Sequence, residues 1–146
     1  MSIQKSYPIY KVPNSNIFLF ESVGEKGTIL KRVIFQPAYR NRYNLAFGDA
    51  EGEDTNDNVI SNNHDLLKVM STIVTIVYYF FDKNPAAMLK IEGVDSKRRR
   101  LYNSIFKRKY KDLKEDFQIY GITENRKLEE YNPNQFYQIF EIQKKK

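Results

Sequence analysis

The sequence predicts an α+β protein with an antiparallel sheet of about five to six strands, in the order β-β-β-α-β-α-β-β, and two helices packed on it. Two observations lead to this class. Apolar and polar residues alternate in the first third of the chain, as in strands buried on one face. Two later segments carry apolar residues at helical spacing. The 146 residues fit a single domain, residues 1–146.

The first third of the chain predicts a meander of three antiparallel strands. Residues 16–23 are rich in strand-forming residues, and residues 24–27 contain the two glycines of a hairpin turn. A second strand covers residues 28–35 and stops at Pro37. The third strand covers residues 42–47. It places three large apolar side chains on one face, those of Tyr43, Leu45 and Phe47.

Residues 49–58 predict a surface loop. They contain five acids and Ala50 as the sole apolar residue. The five carboxylates are candidate ligands for a hard cation such as calcium, but their spacing does not match an EF-hand, so a solvated loop is favoured. The loop could also neutralise basic groups elsewhere on the molecule or on another subunit.

The next segment, residues 66–81, predicts a central helix because it is apolar on nearly every side. One of Ser61, Asn62, Asn63 and Asp65 should cap it. Its polar residues form one narrow stripe, which we expect to face water: Lys68, Ser71, Thr72 and Thr75. The β-branched residues 72–77 would also suit a buried strand, but the length and the caps favour a helix.

The rest of the chain predicts three further strands and a second helix. Residues 87–92 form a short strand, and residues 93–96 turn the chain and cap the helix that follows. Residues 117–122 predict a strand, residues 124–134 a polar loop, and residues 136–142 a final alternating strand.

Composition narrows the class of protein. The chain has no cysteine, which excludes disulfides, thiolate metal sites and a cysteine nucleophile, and fits a reducing compartment. No secretory signal is evident at the N-terminus. The longest apolar stretch, residues 69–81, is too short to cross a bilayer. We therefore expect a soluble, cytoplasmic protein.

The positive charge is concentrated in the second predicted helix. Residues 97–114 carry nine Lys or Arg and one acid, a net +8, whereas the whole chain carries +6. At 100° per residue, five apolar side chains gather on one side of this helix: Leu101, Tyr102, Ile105, Phe106 and Leu113. Six cations gather on the other side and form what we call the basic ridge: Lys97, Arg100, Lys107, Arg108, Lys111 and Lys114.

Two basic residues of this helix fall toward its apolar side. Lys109 could extend its amine to solvent. Arg98 needs an acceptor for its guanidinium, and Asp95, Glu92 and Asp49 are the candidates, of which we favour Asp49.

The ridge supports three interpretations: a solvated face, a surface for nucleic-acid phosphates, and a surface for an acidic protein. The leading hypothesis is a non-enzymatic module that binds nucleic acid or another polyanion. One alternative is an enzyme that processes a small anion or a nucleotide. Another is a homo-oligomeric accessory or scaffold protein. We expect no membrane partner.

Catalytic signals are sparse. His64 is the sole histidine and stands beside Asp65, which suits either a general base or a local hydrogen bond. The chain lacks the G-x-S-x-G, H-E-x-x-H, Walker and dinucleotide-binding patterns. We therefore expect no catalytic residue, metal or cofactor. The aromatic and basic residues around the second hairpin could stack unpaired bases: Tyr39, Arg40, Arg42 and Tyr43.

Several segments together resemble a known family. They are residues 26–31 (KGTILK), 43–49 (YNLAFGD), 67–73 (LKVMSTI), 98–102 (RRRLY) and 115–121 (EDFQIYG). The chain resembles a family of small uncharacterised bacterial proteins, a domain of unknown function, over most of its length. The family usually carries Gly-Ser-Thr before the second helix, whereas this chain has Gly93-Val94-Asp95. The resemblance implies no settled activity.

The matching segments indicate where a site would lie. They contain Asn44, Asp49, Arg98, Arg100 and Tyr102. Arg98 is notable because helical geometry also places it toward the protein interior. A structural Arg98–Asp49 pair is the preferred interpretation. The functional alternative is a pocket for a phosphate or carboxylate, with five candidate residues: Asn44, Asp49, His64, Arg98 and Tyr102.

Overall fold

The computed structural model describes residues 5–50 and 62–146, which contain eight strands and two helices. The strands are β1 Tyr10–Lys11, β2 Ile17–Gly24, β3 Gly27–Pro37, β4 Arg42–Asp49, β5 Met88–Glu92, β6 Phe117–Ile122, β7 Leu128–Glu130 and β8 Ile139–Lys144. The helices are α1 Leu66–Lys83 and α2 Ser96–Asp116. All strands join one sheet in the order β1-β2-β3-β4-β5-β8-β6-β7. The α+β class and the two packed helices are confirmed.

The sheet is larger than predicted and is mixed rather than antiparallel. Strands β4 and β5 pair in parallel, with Arg42 opposite Met88 and Leu45 opposite Ile91. The physical reason is the connection between them, because α1 crosses over the sheet and returns the chain in its original direction. The remaining pairs are antiparallel.

Two short strands at the sheet edges were not predicted. Strand β1 has two residues and β7 has three, so neither is long enough to show an alternating pattern. Strand β7 lies in the segment predicted to be a polar loop.

Strand β8 starts at Ile139, three residues later than predicted, and the fully buried Tyr137 ring precedes it. That ring packs where Gly121 has no side chain, since a Cβ at Gly121 would clash with the Tyr137 ring.

The core lies between the two helices and one face of the sheet. In α1, Phe80 stacks on Phe35 of β3 with ring centroids 4.2 Å apart. In α2, Phe106 stacks on Phe140 of β8 at the same separation. Aromatic pairs of this kind add about 0.5–1.5 kcal/mol each to the hydrophobic contribution of their buried area. The two helices thus pack on the same face of the sheet.

Only part of the polar stripe of α1 faces water, which corrects the prediction: Lys68 is exposed and Thr75 is half-buried. Ser71 and Thr72 are 5% and 0% exposed, because residues 6 and 7 lie along the stripe. The Tyr7 amide donates to Thr72 Oγ1 at 2.9 Å, and Ser6 Oγ donates to the Ser71 carbonyl at 3.1 Å. The polar side chains therefore provide hydrogen-bond partners for a segment of the chain itself.

Neither helix within the described ranges is long and apolar enough to cross a membrane.

Candidate functional site

The basic ridge lies on the outer side of α2, and all six of its residues are exposed. The side chains of Arg100, Lys107, Arg108 and Lys111 make no ion pair or hydrogen bond with any residue of the described ranges. Lys114 Nζ lies 5.5 Å from the centroid of the Tyr110 ring. From Lys97 to Lys114 the ridge extends for about 25 Å at 1.5 Å per residue.

Helix α2 is fixed by its apolar side and by its N-cap. The five residues predicted to dock it are 8% exposed or less: Leu101, Tyr102, Ile105, Phe106 and Leu113. Burial is also the main reason that the pKa of Tyr102 lies well above its usual range. The Asp95 carboxylate accepts the Arg98 backbone N–H at 2.8 Å, which caps the helix. The ridge is therefore presented by a rigid element.

The two inward-leaning cations are buried as the helical geometry predicts. Arg98 is 3% exposed, pairs with Asp95 and donates from Nε to the Phe47 carbonyl at 2.8 Å. Asp95 was one of three candidate acceptors. The favoured one, Asp49, accepts from Lys31 Nζ at 2.6 Å, and its pairing with Arg98 stays a prediction.

Lys109 stays inside the protein rather than extending to solvent. It is 8% exposed, and its amine donates to Ser71 Oγ at 3.2 Å. Burial lowers its pKa, and the nearby Asp112 carboxylate opposes that shift. Lys109 thus links α2 to the polar stripe of α1.

The structure does not bring the five pocket candidates around one cavity. Arg98 and Tyr102 are buried beneath the sheet. Asn44 alternates with the buried Leu45 and therefore points to the other face of the sheet. His64 lies in the loop before α1, where its Nδ1 is 3.2 Å from Glu25 and its side chain is 58% exposed.

A cavity of about 890 Å³ lies near these residues, between the start of α1, the first two turns of α2, and the sheet. We call it the α1–α2 cavity. Four cations line it, two of which belong to the basic ridge: Lys31, Lys68, Lys97 and Arg100. Asp65 is the sole acid among its described lining residues, and His64 stands at its edge. The other walls are mostly apolar.

The loop that borders this cavity is held by hydrogen bonds to the first hairpin. The Asn63 side chain donates to the Gly27 carbonyl at 2.8 Å and accepts from the Lys26 amide at 2.5 Å. His64 has a φ of 60°, a left-handed conformation that is uncommon outside glycine. Such conformations persist where surrounding contacts fix the backbone, and they are enriched at ligand sites.

Asp65 occupies the N-cap position of α1, yet its side chain does not cap the helix. Its carboxylate instead accepts from Tyr7 Oη at 2.5 Å and from Ser22 Oγ at 2.6 Å. Burial, together with this contact with Asp65, raises the pKa of Tyr7. The first turn of α1 also contains no acid. The positive end of this helix therefore lies at the cavity without a side-chain cap.

Lys31 and Lys68 were not recognised from the sequence as site residues. One signal was available for Lys31, because it alternates with Val33 and Phe35 and so takes an inward position in a half-buried strand. For Lys68 no local signal existed, since its position at the cavity depends on how α2 docks beside α1.

The hypothesis of a cation site at residues 49–58 falls largely outside the described ranges, which include only Asp49 and Ala50 of that segment. Within residues 5–50 and 62–146, no three His, Asp or Glu side chains are grouped in a way that could hold a metal ion.

A family model described as "Family of unknown function (DUF6934)" matches residues 3–145. No curated protein and no solved structure matches the chain.

Proposed function

The chain belongs to the family of unknown function DUF6934, and we propose that it is a non-enzymatic module that binds nucleic acid through the basic ridge of α2. One observation carries the proposal. Six exposed cations share one side of a rigid helix, and four of them make no ion pair with the described residues. Phosphates of a nucleic-acid backbone would neutralise such a surface.

Charge distribution favours this function over a merely solvated helix face. Solvated faces usually mix both signs, whereas the ridge is cationic over about 25 Å at 1.5 Å per residue. The whole chain carries only +6, less than the +8 of residues 97–114, so the field is local. A local field of one sign is what steers a polyanion to one surface.

We also propose that the protein lies in the bacterial cytoplasm, where nucleic acid is accessible to it. A chain without cysteine suits that reducing compartment.

Fluorescence anisotropy with short single- and double-stranded DNA and RNA tests this function. We expect binding at low salt and a linear fall of log K with log salt concentration. The Lys107→Glu/Lys111→Glu variant should lose about tenfold or more in affinity and show a salt slope shallower by about one per lost phosphate contact. Both side chains are exposed, so the fold should be unaffected.

The matched control is Lys11→Glu/Lys127→Glu, which makes the same change in net charge at two exposed positions outside the ridge. Its affinity should stay close to that of the unchanged protein. The proposal fails if no nucleic acid binds at low salt. It also fails if both variants lose affinity equally, since binding would then follow net charge rather than the ridge.

A further inference from the structure

The α1–α2 cavity has a composition that the proposed function does not require. It combines converging cations with apolar walls in a volume of about 890 Å³. We propose that this cavity binds a phosphorylated small molecule with an apolar or aromatic body, in the size class of a mononucleotide.

The charges around the cavity favour an anion. Asp49 balances Lys31 at 2.6 Å, so the positive field of the described lining comes mainly from Arg100 and from Lys68, whose Nζ lies 4.4 Å from the centroid of the Tyr7 ring. Lys68 and Arg100 lie on different helices and so reach the cavity from two sides. Asp65 is the one acid among the described lining residues, and its single formal negative charge, which accepts hydrogen bonds from Tyr7 and Ser22, leaves this lining net positive.

The start of α1 adds to this field. Residues 65–69 all line the cavity, and the Asp65 carboxylate at the N-cap position accepts from Tyr7 and Ser22 and does not cap the backbone N–H groups of the helix. Backbone N–H groups at such an end are suited to phosphate oxygens. The helix end supports the cations and is not by itself the site.

The apolar walls indicate that the ligand is more than a phosphate ion. Phe47, Val69 and Leu101 line the interior. Leu66 and Leu67 border the cavity and are 52% and 46% exposed, so they add apolar surface that a ligand could contact. Ligand sites commonly measure about 300–1,000 Å³ and are mostly apolar with a few convergent polar groups. A bare phosphate would leave most of this volume empty.

Two parts of the cavity border are fixed in advance. The Asn63 side chain ties the loop to Gly27 and Lys26, and Glu25 contacts His64. The capped and docked α2 fixes the backbone at Arg100. A site with fixed walls loses little conformational entropy when it binds its ligand.

This inference is independent of the proposed function. The cavity shares Lys97 and Arg100 with the basic ridge, but Lys107 and Lys111 are not among its lining residues, and Lys68 does not belong to the ridge. A ligand could reach the site either as a free mononucleotide or as the terminal nucleotide of a bound strand, and the experiment separates these sources.

Isothermal titration calorimetry of the full chain with AMP, adenosine and inorganic phosphate provides the test. We expect AMP to bind at least tenfold more tightly than adenosine or phosphate alone, because only AMP fills both parts of the cavity. Arg100→Gln and Lys68→Gln should each weaken AMP binding at least fivefold. Arg100 is exposed, so its variant should fold normally, and circular dichroism confirms this for both. Lys11→Gln/Lys127→Gln serves as the neutral control.

Three results would overturn the inference: no AMP binding at millimolar concentration, equal binding of AMP and phosphate, or AMP binding unaffected by both cavity variants. The Lys107→Glu/Lys111→Glu variant separates the two proposals, since it should lose oligonucleotide binding yet keep AMP. Competition then identifies the source. If a 5′-phosphorylated oligonucleotide displaces AMP from the unchanged protein but not from the ridge variant, the ligand of the cavity is the end of a bound strand. If the oligonucleotide does not displace AMP, the ligand is a free nucleotide.

Discussion

Lys31 is the residue whose environment is least expected from its type. It is 2% exposed, and its register partner across the β3–β4 ladder is Asp49, whose carboxylate lies 2.6 Å from its amine. Moving two charges out of water costs several kcal/mol per ion, and their mutual attraction roughly offsets that cost. Such a pair therefore contributes more to the specificity of the local structure than to its net stability.

The Lys31→Met variant should lower the free energy of unfolding by about 3–5 kcal/mol, because it removes the cation beside a buried carboxylate. Lys31→Met/Asp49→Leu should be more stable than Lys31→Met, since no charge is then buried at that position. Urea denaturation of the two variants and of Asp49→Leu completes the double-mutant cycle. A double variant no more stable than Lys31→Met would show that the two charges are not coupled.

At the scale of one element, α1 shows how a surface pattern can be misread. Its polar stripe resembles a solvent-facing side, yet it binds residues 6 and 7, which lie 65 positions earlier in the chain. Helical periodicity identifies which residues share a side of the helix. It contains no information on whether that side contacts water or a distant segment with unpaired backbone groups.

Thr72→Val should destabilise the protein by about 1–3 kcal/mol, because the buried Tyr7 amide loses its acceptor while the side-chain volume is kept. Urea denaturation measures the loss, and hydrogen exchange should show faster exchange of the Tyr7 amide.

Thr75→Val is the matched control. Thr75 is only half-buried and its partner Ser6 can turn to water, so the effect should stay below about 1 kcal/mol. Equal effects of both variants would contradict the role given to Thr72.

At the scale of the molecule, the sequence predicts elements well and their arrangement less well. The helices and most strands follow from local periodicity and turn residues, and β6 was predicted with its observed bounds. The parallel β4–β5 pair depends on contacts between distant segments, whereas the two edge strands pair locally but are too short to show an alternating pattern. The α1–α2 cavity is a similar case, since Lys31, Lys68 and Arg100 converge only after the sheet order and the docking of both helices are fixed.

The buried tyrosines predict that the free energy of unfolding of the whole molecule depends on pH in the alkaline range. Burial raises the pKa of Tyr131 and of Tyr137 to about 12, and a hydrogen bond to Glu129 adds to the shift at Tyr137. In the unfolded chain a tyrosine ionises near pH 10. Between about pH 10 and 12 the unfolded state therefore holds fewer protons than the folded state, and the free energy of unfolding falls as pH rises. Below about pH 10 these groups are protonated in both states, so their contribution is constant.

Urea denaturation across this range should show the fall, with a slope of about 1.4 kcal/mol per pH unit for each such tyrosine. Tyr131→Phe keeps the ring contacts with Phe106 and Phe140 and removes one ionisable group. Its stability should therefore decline less steeply than that of the unchanged protein above about pH 10, while the two profiles run parallel below it. The tyrosinate absorbance should show the two buried groups ionising together with unfolding. Profiles that stay parallel up to pH 12 would contradict the raised pKa of Tyr131, because a group with equal pKa in both states adds no slope.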